Sequence, residues 1–337
     1  MRLPLAGVSK HHRLSLKPKM ASFQFPSLPE VSRLTPSCIR ILAGNPSKFT
    51  LQGTNTYLLG TGPKRLLIDT GEGKPSWIAA LKRTLAEENA SIQDAIITHW
   101  HHDHVGGISD ILAAWPGIKL HKHQPNYQNP EKHPFLPISD GQLFSVSGAE
   151  LKAVHTPGHT IDHMVLFWVS ENAMFTGDNV LGHGTAVFED LSTYLASLQK
   201  MRSLSGFTGQ AYPGHGPVVE NGQAKIKEYI QHRQQREDQV VQFLSRPGAV
   251  DASANTTRSG SGSAADGGGW EVMEMVRSIY RDIPENLHLP AAGGVVQILR
   301  KLQREGRVQL VFPARDGEPE KWRLVSSTSS PGRESVL

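Results

Sequence analysis

A mixed α/β core followed by a small helical and β-wing unit is the fold class this sequence predicts, and three observations carry the expectation. Short β-branched and aromatic runs alternate with stretches whose apolar residues recur at helical spacing. Three imidazoles and a carboxylate, His99, His101, Asp103 and His104, follow directly on the apolar run Ala95, Ile96, Ile97, so ligand-type side chains cluster where a buried strand ends. From 245 to 269 the composition turns to Ser, Gly, Ala and Asn, which cannot bury enough apolar surface to order a core.

In chain order, strands are expected at 56–59, 65–69, 95–98, 151–155, 164–169, 173–176 and 210–212. Helices are expected at 76–88, with Ser76 as its cap, and at 190–204, where Leu191, Leu195 and Leu198 share one face. A third, at 223–243, is heavily charged and should lie on the surface with one buried stripe through Ile226, Ile230 and Val241. Beyond the low-complexity tract, 270–280 and 294–305 read as helices and 307–312 and 321–325 as strands.

These readings divide the chain into a basic, disordered tail (1–35), a catalytic domain (36–245), a linker (246–269), a small α/β-wing unit (270–326) and a disordered Ser-rich end (327–337). The wing unit suits a lid or packing module better than a nucleic-acid contact. At 337 residues, 38% hydrophobic, with 32 Gly and 22 Pro, the chain has the makings of a globular protein with many turns. No apolar run approaches the roughly 18 residues that would cross a bilayer, so no membrane partner is expected. The single cysteine, Cys38, excludes an intrachain disulfide, fits a reducing compartment and reads as a passive thiol. A cytoplasmic location follows, with a mitochondrial presequence as the weaker alternative because Arg2, Lys10, Arg13, Lys17 and Lys19 precede Met20 without an acid. A net charge of +4 from scattered basic residues gives little support to a nucleic-acid partner.

The pattern His99-x-His101-x-Asp103-His104 can be divided between two metal ions roughly 3.5 to 4 Å apart, as two-metal hydrolytic sites require. Further ligands must come from elsewhere, and three candidates follow strand-like runs beside glycine: His159 in TPGHT, Asp178 in FTGD and His215 in YPGHG. Glycine beside a ligand lets the backbone turn sharply and come close to a metal. An imidazole-rich set favours zinc, with Mn or Fe as alternatives. Asp69, after a strand, is expected to hydrogen-bond a ligand rather than bind metal. His102 is expected at the surface or supporting a ligand rather than binding metal, Trp100 in packing, and His121, His123, His133, His155, His163 and His183 in structural or solvent-facing roles, with His183 and Thr185 as secondary candidates for substrate contact.

The order HxHxDH, then His after TPG, Asp after TG and His in PGHG resembles the metallo-β-lactamase superfamily over about 40–245. The resemblance implies a four-layer αββα sandwich, with His99, His101 and His159 on one zinc, Asp103, His104 and His215 on a second, and Asp178 bridging. It implies a hydroxide nucleophile generated on zinc, since a shared water falls from a pKa of about 15.7 to about 7, with Asp103 as the catalytic residue orienting it. The segments NPS (45–47), TLQGTNTYL (50–58), LIDTG (67–71), GTAVFEDL (184–191) and PENL (284–287) resemble both the lactamase-β-like endoribonucleases and the fungal thioesterases that release polyketides from an acyl carrier protein, as in atrochrysone carboxylic acid formation. His102 and Val105 in the THWHHDHVGG variant lie nearer the thioesterases. The leading expectation is therefore a zinc thioesterase partnered with the acyl carrier protein of a non-reducing polyketide synthase. A single-strand-specific endoribonuclease acting on RNA is the alternative enzyme, and a binding protein on a degenerate lactamase fold the alternative of another class.

Overall fold

The computed structural model describes residues 26–124, 135–246, 269–311 and 320–325. A seven-stranded sheet is made of β1 (Val31–Thr35), β2 (Cys38–Leu42), β3 (Asn55–Leu59), β4 (Lys64–Ile68), β5 (Ser91–Ile97), β6 (Lys119–Lys122) and β7 (Leu136–Pro137), paired in that order. The first four strands run antiparallel and the last four parallel. Parallel neighbours need crossovers, supplied by α1 (Pro75–Glu87) between β4 and β5, and by α2 (His102–Val105) and α3 (Ile108–Ala114) between β5 and β6. The second sheet holds β8 (Leu143–Val146), β9 (Ala149–His155), β10 (Met164–Trp168), β11 (Ala173–Gly177) and β12 (Ala211–Pro213), in the order 12-11-10-9-8.

Strand alternation stacks these sheets face to face. Tyr57, Leu59, Leu66, Ile68 and Ile96 of the first sheet meet Leu151, Met164, Leu166, Trp168 and Phe175 of the second in one buried cluster. The intervening residues point outward: Leu58, Leu67 and Ile97 pack with Trp77 and Leu81 of α1 and Ile111 of α3. Val165, Phe167 and Met174 pack under α4 (Leu191–Arg202) and α5 (Gly222–Leu244). Because strand residues of both parities are apolar and buried, each sheet must be covered on two faces, and the result is the αββα sandwich.

The C-terminal unit comprises β13 (Trp270–Glu271), α6 (Val272–Ile279), α7 (His288–Arg304), β14 (Val308–Val311) and β15 (Lys321–Leu324), its three strands ordered 13-15-14. Met275, Val276, Val295 and Leu299 join the same core as Tyr194, Leu198, Tyr229 and Val240, so the unit packs on the outer helical layer. Glu237 of α5, with a side chain 3% exposed, accepts hydrogen bonds from Lys301 Nζ at 2.7 Å and Arg307 Nη1 at 2.6 Å and ties the two parts together. Among the described residues no helix is long and apolar enough to cross a membrane.

Several expectations need correction. β1 lies inside the stretch 1–35 assigned to a disordered tail: Val31 to Thr35 pair with β2, and only 1–25 of that stretch lie outside the described residues. The linker 246–269 (apart from its two end residues), the last dozen residues and His133 also lie outside them. Lys74, not Ser76, caps α1, because Pro75 occupies the first helical position, where its fixed φ suits a helix and its missing N–H costs nothing. The buried stripe of α5 runs through Ile226, Tyr229, Val240 and Phe243, with Ile230 and Val241 only half-buried at its margin. α6 begins at Val272 rather than 270, since Trp270 pairs with Trp322 and Glu271 and Glu274 form a capping box. α7 starts at His288, six residues early: Pro290 falls in the first turn, where it breaks no intrahelical bond.

Candidate metal centre

The seven expected residues converge at one edge of the two sheets. β5 ends at Ile97 and delivers His99 and His101, after which the short helix α2 presents Asp103 and His104. His159 lies in the loop after β9, Asp178 immediately after β11, and His215 two residues beyond β12. Two groups form: His99, His101, His159 and Asp178, and Asp103, His104 and His215, each with its ligand-type atoms within 4.8 Å of one another.

In the first group, His99 Nε2 and His159 Nε2 each lie 3.0 Å from His101 Nδ1 and 3.3 Å from each other. The outer nitrogens are already engaged, His159 Nδ1 with the Val187 carbonyl at 2.8 Å and His99 Nδ1 with the Thr98 hydroxyl at 3.0 Å. A neutral His159 donating to a carbonyl has a lone pair on Nε2, so acceptor nitrogens face one point, which suits a cation. In the second group, His104 Nε2 lies 3.3 Å from Asp103 Oδ2 and 3.4 Å from Asp178 Oδ1, while His215 Nε2 lies 3.2 Å from Oδ2 of both carboxylates. His104 Nε2 and Asp178 Oδ1 are buried without a hydrogen-bond partner. Buried polar atoms are seldom left so, and the donor set fits metal at both groups. Asp178 Oδ2 also lies 3.7 Å from His159 Nε2, so this carboxylate spans the two.

Electrostatics agree. Burial would lower His104 and His215, yet Asp178 and Asp103 (with Asp69 for His104) outweigh it, raising His104 well above the imidazole range and pushing His215 up to about 9. Burial would raise Asp103 and Asp178, but contacts with His104 and His215 hold both carboxylates below their ordinary values. Positive charge is what this pocket stabilises, as protons or as a cation. His99 and His159, lowered chiefly by burial, stay neutral, the form that binds metal.

Asp69 has the supporting role expected of it. Its Oδ1 accepts from the Thr98 backbone N–H at 2.8 Å, and its Oδ2 from the Thr98 hydroxyl at 2.9 Å and from His104 Nδ1 at 2.8 Å. Sequence reasoning gave no role to Asn45, Thr54 and Asn55, and His163 takes the structural one of the two roles expected of it. Thr54 donates to Asp103 Oδ2 at 2.9 Å and is itself held by Asn45, whose Oδ1 accepts from the Thr54 amide. Asn55 donates to the Pro213 and Gly216 carbonyls, both at 2.9 Å, and clamps the His215 loop. His163, fully buried, accepts from the Asp178 amide through Nε2. The available signal was the short polar trio Thr54, Asn55 and Thr56 at the start of a strand.

Glycine is required where ligands crowd. A Cβ at Gly214 would lie 2.2 Å from Asp178 Oδ1 and 3.0 Å from His104 Cε1, and one at Gly158 2.3 Å from the Tyr194 amide nitrogen. His102 is exposed, as expected. Trp100 is not in packing: it is half-exposed, with its ring 4.6 Å from that of His101. His121, His123 and His155 hydrogen-bond Asp94, Ile138 and Ile161, away from the cluster. Cys38 is buried and its thiol is pushed up, chiefly by burial, which makes it inert.

A cleft of about 450 Å³ opens over the two groups. Phe49, Leu51, Leu181, Ala186 and Val187 give it an apolar wall, His183 and Thr185 line it, and Lys48 is its one Lys or Arg among the described residues.

Residues 49–215 match the metallo-beta-lactamase superfamily and 272–322 the beta-lactamase associated winged helix domain. The chain is 43% identical over 300 residues to lactamase-like protein adaB of Aspergillus niger, covering 88% of each chain. It belongs to the metallo-β-lactamase superfamily. Within that superfamily it is also 40% identical over 307 residues to the atrochrysone carboxyl ACP thioesterase of Aspergillus chevalieri, covering 90% of this chain and 92% of the relative. A metallo-β-lactamase family protein from Thermus thermophilus, TTHA1429, shares the fold with a TM-score of 0.62 at 21% identity, covering 87% of this chain and all of that one. The resemblance to the superfamily and to polyketide thioesterases drawn from the motifs is thus borne out, and the small C-terminal unit is a winged helix.

Proposed function

We propose that this lactamase-fold protein is a zinc hydrolase that releases a polyketide acyl chain from the acyl carrier protein of a non-reducing synthase. His99, His101 and His159 hold one zinc in this reading, Asp103, His104 and His215 a second, and Asp178 reaches both. Metal held by these residues would supply a water whose pKa is lowered to about 7 and a Lewis acid for the scissile carbonyl. Asp103, fixed by the Thr54 hydroxyl, would orient the attacking oxygen. The departing thiol, with a pKa near 8.5, leaves as thiolate without firm protonation.

The observation that carries the choice of thioester is the cleft wall. Five apolar side chains and a single lysine suit an aromatic acyl chain, whereas a cleft that grips a phosphodiester chain would present clustered cations. The thioesterase among the relatives supports the same choice.

The test incubates zinc-loaded protein with acyl-loaded carrier protein and, separately, with single-stranded RNA. Release of acid from the first without cleavage of the second is expected. RNA cleavage without acid release would overturn the proposal.

A further inference from the structure

A second cavity, of about 400 Å³, lies behind the wall of the cleft. The two share Thr185, Ala186 and Val187, so the loop 184–189 is a partition with the metal centre on one side and α5 and α7 on the other. Its floor on the α7 side is small: Pro290, Ala291, Gly293 and Gly294, and a Cβ added at either glycine would meet nothing within 4 Å.

Across from it stand two guanidinium groups one turn apart on α5. Arg233 stacks 4.7 Å from the Phe188 ring centroid and donates through Nη2 to the Ala186 carbonyl. Arg236 stacks 4.6 Å from the ring of Tyr280, which lines the same cavity. Both are partly buried, and neither has a carboxylate within ion-pair distance among the described residues. The acids of α5 are committed elsewhere, Glu237 to Lys301 and Arg307, Glu228 to Lys225, and Asp238 to Gln234. Arg233 Nε is buried without a hydrogen-bond partner. An uncompensated guanidinium at the wall of an open cavity, with a second one turn away against the lining residue Tyr280, forms an anion site, and planar forks so placed suit phosphate.

We infer that this cavity binds the phosphodiester of the pantetheine arm on which a carrier protein bears its acyl chain, with Arg233 and Arg236 as the phosphate ligands. The inference rests on the thioesterase reading, in which the arm must lie beside the cleft that holds its thioester. It also explains why Lys48 is the cleft's one Lys or Arg among the described residues: the charge is read one compartment away, so the apolar wall remains free for the acyl chain.

Calorimetry with free 4′-phosphopantetheine and with pantetheine separates this inference from hydrolysis, because neither ligand contains a scissile thioester. The wild-type protein is expected to bind the phosphorylated arm about ten- to a hundredfold more tightly, the range of a charge-assisted hydrogen bond. R233Q, which keeps a donor for the Ala186 carbonyl, should lower that preference at least about tenfold, R233K should restore part of it, and R236Q should weaken it independently. Equal binding of the two arms by the wild type would overturn the inference, as would an R233Q preference equal to that of the wild type. A third arm, a single-stranded oligoribonucleotide that binds through Arg233 while phosphopantetheine does not, would also overturn it. Failure to hydrolyse acyl-carrier protein with the phosphate preference intact would instead count against the thioesterase reading.

Discussion

Asn in place of Asp69 changes one atom of a buried carboxylate and perturbs the metal centre through a single ligand. Position 69 has φ of +58°, a conformation Asn tolerates as well as Asp, so the backbone is left alone. The carboxylate accepts three hydrogen bonds, two from Thr98 and one from His104 Nδ1, at 2.8–2.9 Å. An amide has one acceptor oxygen and one donor nitrogen. If the nitrogen faces Thr98, it meets the Thr98 N–H, and if it faces His104, it meets the Nδ1–H. The first orientation strands a buried donor, and the second does so unless His104 moves its proton, at a cost of about 1–3 kcal/mol of stability. In the second orientation the imidazole shifts its proton to Nε2, the atom aimed between Asp103 and Asp178. Zinc affinity should then fall about ten- to a hundredfold, as it does when the outer partner of a ligating histidine is lost. Competition against a chromophoric chelator measures the affinity, and a thermal melt the stability. Unchanged zinc affinity in D69N would refute the argument that Asp69 sets the His104 tautomer.

G214A should cut turnover by about a hundredfold with little loss of fold, because the new methyl lies 2.2 Å from Asp178 Oδ1 and displaces a candidate ligand by the order of an ångström; circular dichroism beside a rate assay checks both halves. Zinc uptake should release protons: Asp178 and Asp103 push His215 up to about 9 and also raise His104, so in the metal-free protein both hold a proton at neutral pH and must give it up to bind metal. Affinity should therefore weaken as pH falls below about 9, and calorimetry in buffers of different ionisation enthalpy counts the protons. E237Q should destabilise by about 1–3 kcal/mol, less than a fully buried pair because the Arg307 side chain is 45% exposed and Lys301 14%. The loss should appear as a lower melting temperature and loosened protection of α7 in hydrogen exchange.

The sandwich was legible where both faces of a strand are buried. Runs such as 56–59, 164–169 and 173–176 are apolar at both parities, and the alternation with helices followed from them. What stayed hidden was held by pairing rather than composition. β1 reads as the end of a polar tail, and β6, with the sequence KLHK, carries little apolar signal; each is a strand because a neighbour supplies its ladder. The early start of α7 was obscured by Pro290 and two glycines, which break helices in their interiors and are tolerated in a first turn or where tertiary packing supports the helix. At the centre, the seven candidate ligands announced themselves through spacing and flanking glycine. Asn45, Thr54, Asn55 and His163 did not, because their work is to hold backbone amides and carbonyls and one carboxylate across separations of 9 to 161 residues in the chain. Arg233 and Arg236 were invisible for the same reason: they look like two charges on a surface helix until the loop 184–189 and α7 close a cavity against Arg233 and the Tyr280 that Arg236 covers.

Zinc content per chain, measured by mass spectrometry after equilibrium dialysis, tests the central claim most directly when wild type is set beside H101A and H104A. Two ions in the wild type, about one in each variant, and loss of acyl-carrier protein hydrolysis in both is the result this arrangement of ligands requires. A wild type that holds no zinc, or variants that keep two ions and full turnover, would contradict it.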